Sequence, residues 1–242
     1  MIHNEVIKII NHRPYWLAIT LYILFCVLAL FRVLIVDART DLVSSLNDIM
    51  GFGIVVILLV TFIVTSNVGL NFRYNSIKFE IISGLTRTEK FTSNLLAVAL
   101  QAFVLTLFLF LIAETYYWIV NGSMVLFHRS VLNFFLMYFF WNYLFACFVN
   151  AIVLITKHGT AAFLIVFTYI IIEVLLVEAN VLTLETEALD KLGSSLLLGS
   201  MFKLLTVDIL AVESSRIIVI PLLYYLLFTI VSYVRLKTMP IS

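Results

Sequence analysis

Residues 131–156 read VLNFFLMYFFWNYLFACFVNAIVLIT, a run without one Asp, Glu, Lys or Arg. An α-helix rises about 1.5 Å per residue, so about 20 predominantly apolar residues cross the roughly 30 Å hydrocarbon layer of a bilayer. The run is long enough to do so, and uncharged along its whole length. It therefore predicts a transmembrane helix. Five further stretches have the same character: residues 15–36 with Arg32 near the far end, 49–70 with no charge, 95–120 with only Glu114, 159–182 with Glu173 and Glu178, and 217–234. Pro221 falls near the start of the last, where a helix tolerates proline.

The whole chain agrees. Its 242 residues are 63% hydrophobic and 12% charged, with a mean hydropathy of +1.14, whereas soluble domains run near 45–50% apolar and about 25% charged. That excludes a soluble globular domain, and 8 Gly with 3 Pro are too few for a fibrous or disordered chain. A net charge of +1 offers no field for nucleic acid, while 21 Phe and 11 Tyr suit a lipid-facing surface. Cys26 and Cys147 lie inside apolar runs, so they read as small hydrophobes packed between helices, not as a disulfide or zinc framework. The first stretch is no signal peptide: its apolar core exceeds roughly 7–15 residues and no small-x-small site follows at Asp37-Ala38-Arg39.

Lys and Arg in the flanking segments set the orientation. With the N-terminus inside, Lys8, Arg13, Arg73, Lys78, Arg87, Lys90, Lys157, Arg235 and Lys237 gather on the cytoplasmic side. The outer side holds Arg32, Arg39, Arg129, Lys191, Lys203 and Arg216 with most of the acidic residues. Both termini are therefore expected in the cytoplasm of a multi-pass cell-membrane protein. Residues 192–211 compete as a seventh span, but their eleven-residue apolar core reaches only about 16 Å and Gly193 and Gly199 weaken it. A re-entrant or surface-lying pair of short outer helices is the preferred reading. At the N-terminus, Ile2, Val6, Ile9 and Ile10 recur at helical spacing with His3, Lys8 and His12 on other faces. This predicts an interfacial elbow helix on the inner leaflet, against the alternative of a disordered tail.

The longest cytoplasmic stretch, residues 71–91, separates the second and third spans. Ile77, Ile81 and Ile82 sit at helical spacing there, Gly84 marks a helix end, and Thr86 or Thr88 can cap the next helix. The expectation is a short helix lying across the membrane base.

The run Asn75-Ser-Ile-Lys…Ile81-Ile-Ser-Gly-Leu-Thr-Arg87 resembles the cytoplasmic segment of ABC-2 type permeases, in which a small-Thr-Ile-Lys element precedes two aliphatics, a turn and Ser/Thr-Arg. The span count, cytoplasmic termini, elbow and outer helices agree with that family over the whole chain; the sequence-specific likeness covers residues 71–91. The resemblance implies an all-α membrane fold of six spans, whose cytoplasmic helix between spans two and three is a coupling helix docking into an ATP-binding subunit. Ile77, Lys78, Ile81, Ile82 and Arg87 are then the docking residues, Arg87 because a guanidinium can hold a carboxylate bidentately. It also implies two permeases, a second copy or a paralogue, working with two ATPases that hold ATP and Mg. The sequence departs from the family pattern at Asn71, Asn75 and Asn94. The plain alternative is that Arg73, Lys78, Arg87 and Lys90 only enforce the positive-inside rule.

No G-x-x-x-x-G-K-[ST] loop occurs, and His3, His12, His128 and His158 form no metal or nucleophile motif. The chain reads as a transport subunit, not an enzyme, without its own cofactor or metal. Counted from the cytoplasmic ends, Arg32 lies about 25 Å up, Glu173 about 21 Å and Glu114 about 28 Å, with Glu178 higher. Charges at such depth are functional by default. Arg32, Glu173 and Glu178 can line an outer vestibule for cationic, amphipathic cargo, or else set helix register as an ion pair; Glu114 beside Tyr116, Tyr117 and Trp118 can simply mark the headgroup belt. In the fourth span Tyr138, Trp141 and Phe145 form one candidate inward stripe, read as packing or as an aromatic wall for cargo.

The expected function is the permease of an ATP-driven exporter. Small permeases of this character resemble those of Gram-positive peptide exporters, including the lantibiotic-immunity and phenol-soluble modulin types. That implies amphipathic peptide cargo taken from the cytosol or the membrane lipid. The competing readings are an ion- or proton-coupled transporter using Glu173 and Glu178, for which no internal repeat is visible, and a sensory or scaffold membrane protein.

Overall fold

The computed structural model describes helical residues 16, 17, 19–21, 23, 24, 27 and 28, then residues 53–74, 76–121, 129–183 and 215–239. Six helices follow the first segment: α1 (Gly53–Arg73), α2 (Ser76–Ile82), α3 (Arg87–Asn121), α4 (Arg129–Thr156), α5 (Gly159–Thr183) and α6 (Ser215–Thr238). No strand occurs among the described residues. Three stretches, Arg87–Phe108 of α3, Phe135–Thr156 of α4 and Val219–Thr238 of α6, are long and apolar enough to cross a membrane. Ile57–Arg73 and α2 together make a fourth if the pair, bent by 57°, is counted as one span. The 25 residues of α5 extend about 37 Å, and Gly159–Leu175 is its described apolar stretch. The elbow expected over residues 2–10, Arg32, and the outer helices expected over 192–211 lie outside the described residues.

Contacts divide the chain into two units, one of residues 1–67 and 93–146, the other of residues 68–92 and 147–242. In the first, the buried face of α3 runs Ser93, Asn94, Val98, Gln101, Ala102, Leu105 and Thr106, a 3.6-residue stripe. Thr106 on it is satisfied locally: its Oγ1 donates to the Ala102 carbonyl at 2.8 Å and accepts from Asn142 Nδ2 of α4 at 3.1 Å. Thr61 and Thr65 of α1 likewise donate to carbonyls one turn back, both at 2.7 Å. This is how a hydroxyl is kept in an apolar interior at little cost. Phe103 of α3 meets Phe135 and Phe139 of α4 edge-on, at 6.1 and 6.0 Å between ring centres.

The second unit closes on small residues and aromatics. A Cβ placed on Gly69 of α1 would lie 2.8 Å from the Gly159 Cα of α5. The two backbones touch there because neither residue has a side chain. Phe148 of α4 packs on Tyr169 of α5 and Phe228 of α6, with ring centres 5.2 and 4.9 Å away. Lys157, with φ of 61°, turns the chain from α4 directly into α5, its N–H reaching the Val153 carbonyl at 2.8 Å.

Candidate functional site

Between α1 and α3 the chain forms the short helix α2 that the sequence suggests, and a tight turn follows it. Ser76 Oγ lies 3.1 Å from both the carbonyl and the Oδ1 of Asn71, which ties the start of α2 to the end of α1. At the other end Gly84 takes a φ of 104°. Its N–H bonds the Ile81 carbonyl at 3.1 Å, and the Leu85 N–H bonds the Glu80 carbonyl at 3.0 Å. This double closure satisfies carbonyls that a helix end otherwise leaves open, and the left-handed residue it needs is why glycine stands there.

Of the two threonines able to cap α3, Thr86 does so. The Glu89 N–H donates to Thr86 Oγ1 at 3.2 Å, while Glu89 Oε2 accepts from the Thr86 N–H at 2.8 Å and from its hydroxyl at 2.7 Å. Each residue satisfies a donor of the other, a reciprocal capping box. Hydrogen bonds from the Thr86 side chain and then its backbone hold the exposed Glu89 carboxyl below its ordinary value of 4.5.

The turn brings α2 against the first turn of α3. Lys90 Nζ lies 2.6 Å from Glu80 Oε2, and the lysine side chain is only 2% exposed. Arg87 reaches the opposite way, donating from Nη1 to the Leu236 carbonyl at 3.2 Å and to that of Lys237. These are terminal carbonyls of α6, which have no partners within the helix and carry the negative end of its dipole. Phe91 meets Tyr233 edge-on at 5.2 Å between ring centres. Ile77 joins Leu154 of α4 and Leu236 of α6 in a small core, with Phe72, Ile81 and Phe91 packed around it.

The predicted docking residues are thus divided between two faces. Ile77, 6% exposed, points into the core, and Ile81 packs against that core. Ile77 and Ile81 hold α2 in place, because a seven-residue helix has no stability of its own and must bury a face. Ile82 remains outward at 64% exposure and is joined by Phe79 at 65%. Phe79 escaped the sequence reading because only the aliphatic residues of the segment were singled out. Lys78 is half-buried, and Arg87 is engaged with α6. The Glu80–Lys90 pair was also missed: ten residues apart, it matches no helical spacing and depends on the turn at Gly84.

Glu173 lies buried in α5, within electrostatic reach of the Tyr224 phenol of α6. Glu114 is buried in the other unit. Arg32 and the Glu178 side chain fall outside the described residues, so their expected pairing does too. Tyr138, Trp141 and Phe145 are all buried, and the rings of Tyr138 and Trp141 stand 5.3 Å apart. Cys147 is a buried free thiol. Compared with known proteins, the chain matches no family model and no curated sequence.

Proposed function

We propose that this chain is the membrane-spanning subunit of an ATP-driven exporter of the ABC-2 type, with α2 as its coupling helix. The observation that carries this reading is the two-faced α2. A helix of seven residues between two long apolar helices buries Ile77 and packs Ile81, while it turns Phe79 and Ile82 outward beside Lys78. Large exposed apolar groups rimmed by charge mark a protein interaction surface. In this reading residues 71–91 face the cytoplasm, both termini lie there, and six spans cross the membrane. Two copies, or this chain and a paralogue, pair with two ATPases that bind ATP and Mg. Closure of the ATPases pushes α2, and the paired permeases release an amphipathic peptide toward lipid or the outside.

The test is co-purification with an ATPase that carries a phosphate-binding loop and is encoded beside this chain. Phe79→Asp combined with Ile82→Asp alters only the outward face of α2, whereas changes at Arg87 or Ile81 would also disturb the chain's own packing. Loss of the complex with the permease still folded is the expected result. A complex and ATPase activity that survive the double change overturn the assignment.

The burial of Glu173 favours a second reading, an ion- or proton-coupled transporter in which that carboxyl carries the coupling charge. Uptake of a fluorescent amphipathic peptide into inside-out vesicles separates the two. The exporter requires ATP and the ATPase, whereas the coupled transporter responds to a pH gradient alone and loses that response in Glu173→Gln.

A further inference from the structure

We propose that Lys90 and Arg87 are positioning residues that fasten α2 to the first turn of α3 and the last turn of α6, so that a push on α2 moves those two helix ends together. The mechanical consequence rests on the docking reading; the fastening itself rests on geometry alone. A seven-residue helix falls well short of the length at which helices hold themselves together, so α2 keeps its position only through tertiary contacts. Apolar contacts such as Ile77 with Leu154 and Leu236 hold it down, but they are non-directional and allow sliding. The polar links are directional. Lys90, 2% exposed, would lose its ion pair with Glu80 if α2 moved away, and desolvated charges tolerate such a loss poorly.

Arg87 supplies the second link. Its guanidinium holds the Leu236 and Lys237 carbonyls at the end of α6, and the Phe91–Tyr233 ring contact lies beside it. Arg87, Lys90 and Phe91 all stand in the first turns of α3. One short stretch of α3 therefore joins α2 on one side to α6 on the other. None of these links uses Phe79 or Ile82, so the outward face of α2 stays available while the inner face is clamped.

The clamp is testable without any ATPase, in the full chain reconstituted into phosphatidylethanolamine/phosphatidylglycerol nanodiscs. Spin labels at Ile82→Cys and Thr238→Cys, in a chain with Cys26 and Cys147 replaced by Ala, report the distance from α2 to the end of α6. Amide exchange is followed in parallel. One narrow distance is expected. Lys90→Met should broaden it and speed exchange of the α2 amides about tenfold, with α4 protection unchanged. The reversed pair Glu80→Lys/Lys90→Glu should restore both, which a loss of packing alone would not do. Arg87→Gln should broaden the distance and speed exchange in the last turn of α6, with Arg87→Lys recovering part of the effect.

If Lys90→Met does not fold, Glu80→Gln takes its place with the same expectation. An unchanged distance and unchanged α2 exchange in the folded single variants overturn the proposal, as does a folded reversed pair that fails to restore them. These outcomes are independent of docking, which the Phe79→Asp/Ile82→Asp variant tests separately.

Discussion

Thr86 and Glu89 show how much one exposed pair can decide. Their reciprocal hydrogen bonds start α3 at a defined residue, and with it fix where Arg87 and Lys90 stand. Because the Glu89 carboxyl is held below 4.5 in the folded chain, its cap contributes stability above the unfolded value and loses it as pH falls through the lowered one. Amide protection factors in the first turn of α3, taken relative to the intrinsic exchange rate at each pH, should therefore be high at neutral pH and fall as pH drops below 4.5. Glu89→Gln should remove this pH dependence, and Thr86→Ala should cost that turn about 1 kcal/mol. An exchange profile with the same acid response in Glu89→Gln would assign it to another group. The capping residue was legible in the sequence as a choice of two threonines. The carboxylate three residues after Thr86 settled it, since only that spacing lets both groups satisfy each other.

Among the elements, α2 and the crossing of α1 with α5 are where local sequence and tertiary contact meet. The end of α2 at Gly84 was readable, because a glycine after a helical stripe signals the left-handed turn it adopts. Its inward face was not readable. Seven residues contain two turns, and Ile77, Ile81, Ile82 and Phe79 spread apolar groups around most of the circumference, so periodicity alone selects no side. The α1–α5 crossing depends on Gly69 and Gly159, where an added Cβ at Gly69 meets backbone at 2.8 Å. Backbone cannot rotate out of the way, so Gly69→Ala should force the helices apart and cost about 1–3 kcal/mol. Thermal unfolding in detergent should show a lowered midpoint, whereas Gly84→Ala, with nothing within 4 Å of its added Cβ, should cost only the backbone strain. Equal stability of Gly69→Ala and the parent chain would mean that this close approach does not hold the two helices.

For the molecule as a whole, the expected topology makes a simple prediction. With intact cells, Asn121→Cys at the far end of α3 should react with an impermeant maleimide, and Ser83→Cys and Thr238→Cys only after permeabilisation. Labelling of Ser83→Cys from outside would invert the orientation and place α2 where no ATPase can reach it. What the sequence by itself determined is the solvent of this protein: 63% hydrophobic residues arranged in long, nearly uncharged runs leave hydrocarbon as the environment and helix as the backbone solution, because each span must satisfy its own hydrogen bonds. Only the tertiary structure decided what the few charges do. Glu80 and Lys90 are remote in sequence yet paired at 2.6 Å, and Arg87 reaches carbonyls some 150 residues away. Hydropathy is a sum over neighbours along the chain, whereas an ion pair depends on which helix ends the fold brings together.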